Sequence, residues 1–206
     1  MTSSAIKAII FDYGNVLIEW DPRRVYRRYF PNDHQAMESF LAEINFMEWN
    51  AQQDKGRSFK EGIAVLSNAF PHHAPLIKAY HDHWKDSIGG SITGTVEILK
   101  RLKQAGYLIY GLSNWSKETF PYAHDKYDFF EFFDDMIISG FVGLVKPDPA
   151  IYHLILTKIK KPARECLFID DSAVNINQAK QLGFKTIHFK SPGQLGDELE
   201  QMGLLK

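Results

Sequence analysis

The sequence predicts an α/β fold, with a Rossmann-like parallel sheet, helices on both of its faces and an inserted helical cap domain. Short apolar runs rich in Ile, Leu, Phe and Tyr recur along the chain, and helix-like sequence separates each run from the next. Strands that alternate with helices form parallel sheets covered on both faces. We expect five strands, at about residues 6–12, 107–112, 135–139, 166–170 and 185–189.

Local signals mark the ends of the helices between these strands. Asp148-Pro149 and Ser191-Pro192 each offer an N-cap followed by proline at the first helical position, and Ser172 offers a third N-cap. Gly106 and Gly183 stand where two helices should stop before the next strand begins.

The interval between the first two strands is too long for a single crossover helix. Residues 20–88 have helix-like sequence throughout, with helix starts at sites such as Asp33 and Ser58 and enough aromatic residues for a small separate core. We therefore predict a catalytic core formed by residues 1–19 and 89–206, and a helical cap formed by residues 20–88.

Composition argues against several classes of partner. The chain is 45% hydrophobic and 24% charged, as in ordinary soluble globular proteins, and its net charge is -1 without a long basic run. Neither nucleic acid nor a membrane is therefore expected as a partner. No segment has the length of a signal peptide core or a membrane span.

The single cysteine, Cys166, cannot form an intramolecular disulfide, which favours a reduced, cytoplasmic setting. The oligomeric state is not predicted.

Polar residues suited to catalysis follow four apolar segments. They are Asp12, Ser113-Asn114, Lys146 and Asp170-Asp171. The carboxyl ends of parallel strands meet at one edge of the sheet, where α/β folds bind ligands. Two adjacent carboxylates repel each other unless a cation or a proton relieves them. Hard oxygen ligands without a nearby Cys or His pattern indicate Mg²⁺.

Most of these signals, taken singly, also have a structural explanation. Asp12 could be a turn residue at the end of a strand. Ser113 and Asn114 could cap the helix that begins near Ser116, and Lys146 could be a solvated loop residue. Only their convergence distinguishes a site from these alternatives.

Four motifs occur in order along the chain: Phe11-Asp12-x-Gly14-Asn15-Val16-Leu17, Leu112-Ser113-Asn114, Gly143-x-x-Lys146-Pro147-x-Pro149-x-Ile151-Tyr152 and Phe168-Ile169-Asp170-Asp171-x-x-x-Asn175. Together they resemble the haloacid dehalogenase-like (HAD) superfamily of hydrolases. The insertion after the first strand is similar to the cap type called C1. The form of the first motif is similar to the bacterial glucose-1-phosphate phosphatase branch.

The resemblance implies a Mg²⁺-dependent phosphatase that acts on a small phosphorylated metabolite. Asp12 would attack phosphorus and form an aspartyl-phosphate. Mg²⁺ would be held by the Asp12 carboxylate, the Gly14 carbonyl and Asp171, with Asp170 as a further or outer ligand.

The same resemblance implies roles in binding the phosphoryl group. The Ser113 hydroxyl and the backbone of Asn114 would hold phosphoryl oxygens, and Lys146 would offset the charge on Asp12 and on the phosphoryl group. Asn175 would support the acidic loop. Charge neutralisation and positioning are the main demands of phosphoryl transfer.

Gly14 departs from the phosphatase pattern, which has a second aspartate at this position as general acid and base. Losing such a group typically costs about 10² to 10⁴ in rate. A sugar 1-phosphate, with its acidic leaving group, would need less protonation, and it is the leading substrate class. Alternatively another residue takes over, and Asp21 is the nearest candidate, although it also fits an N-cap before Pro22. Residues 49–58 are candidates for sugar contacts.

Two other functions compete with the phosphatase. Haloacid dehalogenases also lack the second aspartate, but they need no metal and do not carry the acidic pair Asp170-Asp171. A catalytically idle relative that binds a metabolite would have no reason to keep Asp12, Lys146 and both of these aspartates.

Overall fold

The computed structural model describes residues 5–205, so residues 1–4 and 206 of the predicted core lie outside the described part. The strands are β1 (Ala8–Phe11), β2 (Ile18–Trp20), β3 (Ile88–Ser91), β4 (Leu108–Ser113), β5 (Asp135–Ile138), β6 (Cys166–Asp170) and β7 (Lys185–His188). The helices are α1 (Arg23–Tyr26), α2 (His34–Glu43), α3 (Phe46–Asp54), α4 (Phe59–Ala69), α5 (Ala74–Asp82), α6 (Thr93–Gln104), α7 (Phe120–His124), α8 (Ser139–Val142), α9 (Pro149–Ile159), α10 (Ala173–Gln181) and α11 (Pro192–Gln201). Within the described range, no helix is both long and apolar enough to cross a membrane.

The predicted parallel sheet is confirmed. Five strands pair in the order β5-β4-β1-β6-β7, with every pairing parallel. The central strand β1 is fully buried because alternate side chains enter two separate cores. Ile9 and Phe11 pack with residues of α6 and α11, whereas Ala8 and Ile10 pack with residues of α9 and α10. The sheet therefore carries helices on both faces.

The predicted helix ends agree with the structure. Asp148 and Ser191 accept hydrogen bonds from backbone N–H groups in the first turns of α9 and α11. Ser172 occupies the N-cap position of α10 without a side-chain capping bond. Gly106 and Gly183 follow α6 and α10 with φ of 88° and 87°, a conformation that glycine adopts at little cost.

Five helices, α1 to α5, lie between strands β2 and β3, which pair with each other antiparallel. The expectation of helix throughout residues 20–88 is wrong at both ends, because Trp20 and Ile88 belong to these strands. Three or four residues, with Gly89 and Gly90 among them, are too few and too glycine-rich to give a strand signal. The chain therefore leaves the core along β2 and returns to it along the adjacent strand β3.

Aromatic side chains form the interior of the inserted segment. The ring of Tyr26 lies 5.1 Å from that of Phe40, and the ring of Phe46 lies 4.8 Å from that of Tyr80, both edge-on. Such edge-to-face pairs are favourable beyond the apolar area that they bury. The expected aromatic core is therefore present, but it is not separate, because its rings belong to the same cluster of buried residues as Ile9 and Leu99 of the sheet and α6.

We predict that Gly111→Ala destabilises the fold. A Cβ at Gly111 would lie 1.7 Å from the Tyr13 hydroxyl oxygen, and Tyr13 is fully buried with its ring edge-on to Phe130 and Phe133. Overpacking of this kind costs about 1–3 kcal/mol, which urea unfolding measures. In the control Gly196→Ala the new Cβ would have its nearest neighbour at 3.9 Å, so helix α11 should be unchanged or more stable. Equal effects of the two substitutions would contradict the packing argument.

Candidate active site

The carboxyl ends of three adjacent strands bring the predicted residues together. Asp12 follows β1, Ser113 ends β4 and Asp170 ends β6, and β1 lies between the other two strands. Lys146 reaches the same edge from the loop between α8 and α9, where its ammonium contacts both aspartates. The convergence expected from the sequence is therefore present.

Lys146 is the centre of this cluster. Its Nζ lies 3.0 Å from Asp12 Oδ1 and 2.7 Å from Asp170 Oδ2, and it donates to the Leu112 carbonyl oxygen at 2.8 Å. Only 1% of its side chain is exposed, so the alternative of a solvated loop lysine is wrong. Burial alone would lower the pKa of Lys146, but the two carboxylates raise it above its ordinary value. The lysine therefore stays charged.

Asp12 is buried and held in place. Its Oδ1 accepts the Tyr13 N–H at 2.7 Å, and the Ser113 hydroxyl also bonds to its carboxylate. Burial raises the pKa of Asp12 to about 7, with Lys146 opposing the shift and the charge of Asp170 adding to it. A cation near this carboxylate would favour its ionised, nucleophilic form.

The two acidic residues after β6 differ in their surroundings. Asp170 is fully buried, and its oxygens accept hydrogen bonds from the Ser172 N–H at 2.8 Å and from Asn175 Nδ2 at 3.0 and 3.1 Å, besides Lys146. Asp171 is partly exposed, and burial and the charge of Asp170 raise its pKa. Asn175 thus makes the supporting contact that was expected of it.

The available donors fit Mg²⁺. Asp12, Asp170 and Asp171 each offer a carboxylate oxygen within 4.8 Å of the others, and hard oxygen donors suit this ion. Within residues 5–205, no backbone N–H donates to the Gly14 carbonyl, whereas the neighbouring Tyr13 carbonyl accepts bonds from the Leu17 and Ile18 N–H groups. Asp170 already accepts several hydrogen bonds, so an outer position suits it better than direct coordination.

Asn114 has a role that the sequence did not reveal. Its side-chain Oδ1 accepts the Lys146 N–H at 2.8 Å, and its Nδ2 donates to the Lys146 carbonyl at 2.9 Å. The amide therefore neither caps a helix nor points freely at a ligand, and only the backbone of Asn114 remains for a phosphoryl group. The pair of bonds fixes the loop that carries the lysine.

A cavity opens beside Gly14, between the inserted segment and the core. Its walls include five aromatic side chains, those of Trp20, Phe59, Tyr80, Trp84 and Trp115. Asn50 and Asp54 also line it, so the predicted segment 49–58 does contribute to the cavity. Trp49 does not, because it is buried and donates its Nε1–H to the Gly62 carbonyl at 2.9 Å.

Asp54 is a member of the site that sequence analysis did not single out. It ends α3 and faces the cavity, and burial raises its pKa to about 7, with the charge of Asp12 adding to the shift. Asp21, the candidate nearest in sequence, accepts the Arg23 N–H at 3.0 Å and lies 3.8 Å from Arg27. Asp21 thus has a local role, bonding to the first residue of α1 and pairing with nearby arginines, although the N-cap position itself is occupied by Pro22.

The comparison with protein families agrees with this geometry. The model of haloacid dehalogenase-like hydrolases matches residues 6–183. The chain belongs to this family. A HAD-family enzyme of Bacteroides thetaiotaomicron, BT-2542, solved with magnesium and inorganic phosphate, has a similar fold, with a TM-score of 0.68, 23% identity, and coverage of 91% of this chain and 96% of that one.

Three curated proteins are similar in sequence to this hydrolase. Sesquiterpene phosphatase astK of Aspergillus oryzae is 24% identical over 97% of both chains. Glyceraldehyde 3-phosphate phosphatase of Pyrococcus abyssi is 30% identical over 90% of this chain and 82% of its own length. Drimenol cyclase drtB of Aspergillus calidoustus is 25% identical over 94% of this chain, which spans only 36% of that protein.

We predict that Lys146→Met strongly destabilises this hydrolase when a chelator is present. Removing one partner of a buried ion pair costs about 3–5 kcal/mol, because Asp12 and Asp170 lose their counter-charge. The pKa of Asp12 is about 7 in the folded chain against an ordinary 3.8, and loss of the ammonium raises it further. The folded variant takes up a proton at low pH, so its deficit in unfolding free energy should be smaller at pH 5 than at pH 8.

Lys158→Met is the matched control for this change. Lys158 Nζ lies 2.6 Å from Asp135 Oδ2, but both side chains are substantially exposed, so little stability should be lost. Urea unfolding of both variants at the two pH values provides the measurement. A deficit that is independent of pH, or equal for the two lysines, would contradict the buried-cluster interpretation.

Proposed function

We propose that this chain is a Mg²⁺-dependent phosphatase that hydrolyses a small phosphate monoester through an aspartyl-phosphate on Asp12. The observation that carries this proposal is the buried Lys146 ammonium between Asp12 and Asp170, with Asp171 beside them. A nucleophilic carboxylate needs its own charge and that of the incoming phosphoryl group offset, and this cluster supplies fixed positive charge at that point. The acidic pair also argues against a metal-independent haloacid dehalogenase.

Each residue at the strand ends has a separate role in this reaction. The Asp12 carboxylate attacks phosphorus, and the bonds from Tyr13 N–H and Ser113 orient it. When the substrate binds, the single Ser113 hydroxyl proton turns from Asp12 to a phosphoryl oxygen. The backbone of Asn114 holds another phosphoryl oxygen, while Lys146 offsets the phosphoryl charge. Asp12, Asp171 and the Gly14 carbonyl would hold Mg²⁺, which when bound would neutralise phosphoryl charge and align the ester.

The cavity beside Gly14 is the proposed place for the rest of the substrate, with the inserted helices acting as a cap of the C1 type. Its aromatic walls suit the C–H face of a sugar ring, and Asn50 offers a polar contact. Sugar 1-phosphates remain the leading class because their leaving group is acidic. The same walls suit an apolar alcohol, and astK, named as a sesquiterpene phosphatase, makes prenyl-type phosphates the second class to test.

A phosphate-release screen should find activity that depends on Mg²⁺ and on Asp12. The screen covers sugar 1-phosphates, sugar 6-phosphates and monophosphates of apolar alcohols, each with Mg²⁺ and with a chelator. Asp12→Asn should abolish release, because an amide is a poor nucleophile towards phosphorus. In the control Asp33→Asn, asparagine caps helix α2 as well as aspartate does, so activity should be unchanged. Release that persists in Asp12→Asn would refute the proposal, as would halide release from haloacids without metal.

Substitution of Asp170 and substitution of Asp171 should have different effects. Asp171→Asn should weaken Mg²⁺ binding, measured calorimetrically without substrate, by more than about tenfold because a direct ligand loses its charge. Asp170→Asn should instead lower the melting temperature in chelator, since the Lys146 ammonium loses a buried partner. If Asp170→Asn weakens Mg²⁺ binding more than Asp171→Asn does, the assignment of inner and outer positions is wrong.

A further inference from the structure

Gly14 leaves an empty space next to the nucleophile. A Cβ added at Gly14 would meet no atom within 4 Å, and the residue has no positive φ that would demand glycine. Neither close packing nor backbone conformation therefore explains the glycine. The space belongs to the same cavity that Asp54, on the inserted segment, also lines.

Asp54 is held in place by both parts of the molecule. Asn50 Nδ2 donates to its Oδ2 at 3.1 Å, and the Ser116 backbone bonds to the carboxylate from the core. The Ser139 hydroxyl, also in the core, donates to the Asp54 carbonyl at 2.5 Å. The end of helix α3 is thereby fixed to the strand edge that carries the cluster of Asp12.

The surroundings of Asp54 suit a group that exchanges protons. The pKa of Asp54 is raised to about 7, mainly by burial; the Ser116 backbone bond opposes the shift and the charge of Asp12 adds to it. Of the cavity-lining residues described, Tyr80 is the other group with a shifted pKa, and burial and the charge of Asp54 move it upwards, away from neutrality. Asp54 is therefore the group of this cavity that can both give and take a proton at neutral pH.

We propose that Asp54 is the general acid and base of this hydrolase, in place of the aspartate that Gly14 lacks. The proposal rests on the proposed phosphatase function. It places the proton-transfer group on the inserted segment instead of on the loop after β1. The open space at Gly14 then admits the leaving group between Asp12 and Asp54.

Asp54 gives a proton in the first step of the proposed reaction and takes one in the second. As Asp12 Oδ bonds to phosphorus, the bond from phosphorus to the ester oxygen breaks, and that oxygen takes the proton of the Asp54 carboxyl and departs as the alcohol. The Asp54 carboxylate then takes a proton from water, whose oxygen bonds to phosphorus while the bond to Asp12 breaks. Inorganic phosphate leaves, and both aspartates return to their starting states.

Asp54→Asn tests this role through two substrates that differ in leaving group. With an unactivated alkyl phosphate, turnover should fall about 10² to 10⁴-fold, because both the alcohol and the water lose their proton partner. With p-nitrophenyl phosphate the leaving group needs no proton, so the first turnover should stay fast. A burst of nitrophenolate followed by slow turnover is expected, and the burst also reports a folded active site.

A double variant and a control complete the experiment. The Cβ of Gly14→Asp would lie in open space at the cavity, so the added carboxyl group should restore much of the alkyl phosphatase activity of Asp54→Asn. Asp21→Asn should behave as wild type with both substrates. Wild-type turnover of the alkyl ester by Asp54→Asn, or equal losses in the burst and in alkyl turnover, would overturn the role of Asp54. Phosphate release that persists in Asp12→Asn would instead refute the proposed phosphatase function, so the two failures are distinguishable.

Discussion

The contact on which the rest of the site depends is the Lys146 ammonium held between Asp12 and Asp170. Three carboxylates at one edge of a buried sheet would repel each other, and a lysine shielded from water offsets that repulsion far more strongly than a solvated one. Its position depends in turn on Asn114, whose amide holds both backbone groups of the lysine, and on Asn175, which holds Asp170.

The parallel sheet and the inserted helices contribute different chemistry to one cavity. The strand ends supply the charges, because β1, β4 and β6 are neighbours and end at the same edge. The inserted helices supply aromatic walls and Asp54. A carboxyl group in such surroundings is costly to ionise, which is a disadvantage for stability but an advantage for a residue that must hold a proton near neutral pH. The proposed division assigns charge to the sheet and proton transfer to the cap.

The parts of this structure that were predictable from sequence depend on local patterns. The five strands, the caps at Asp148 and Ser191 and the convergence of Asp12 with Asp170 follow from apolar runs, turn chemistry and parallel topology. The role of Asn114 was not predictable, because its partner lies 32 residues away. The pairing of β2 with β3 and the position of Asp54 likewise arise from packing between distant segments. A lone aspartate at the end of helix α3 carries no signal of its own.

The most direct test of the central claim is a single turnover in water enriched in heavy oxygen, with enzyme in excess over substrate and acid quench. Before completion, mass spectrometry should find a covalent phosphate on the peptide that contains Asp12. At completion, the heavy oxygen should be in inorganic phosphate, because water attacks phosphorus and the carboxylate of Asp12 departs unchanged. Heavy oxygen in the Asp12 carboxylate, or phosphate release without a covalent species on Asp12, would contradict the account.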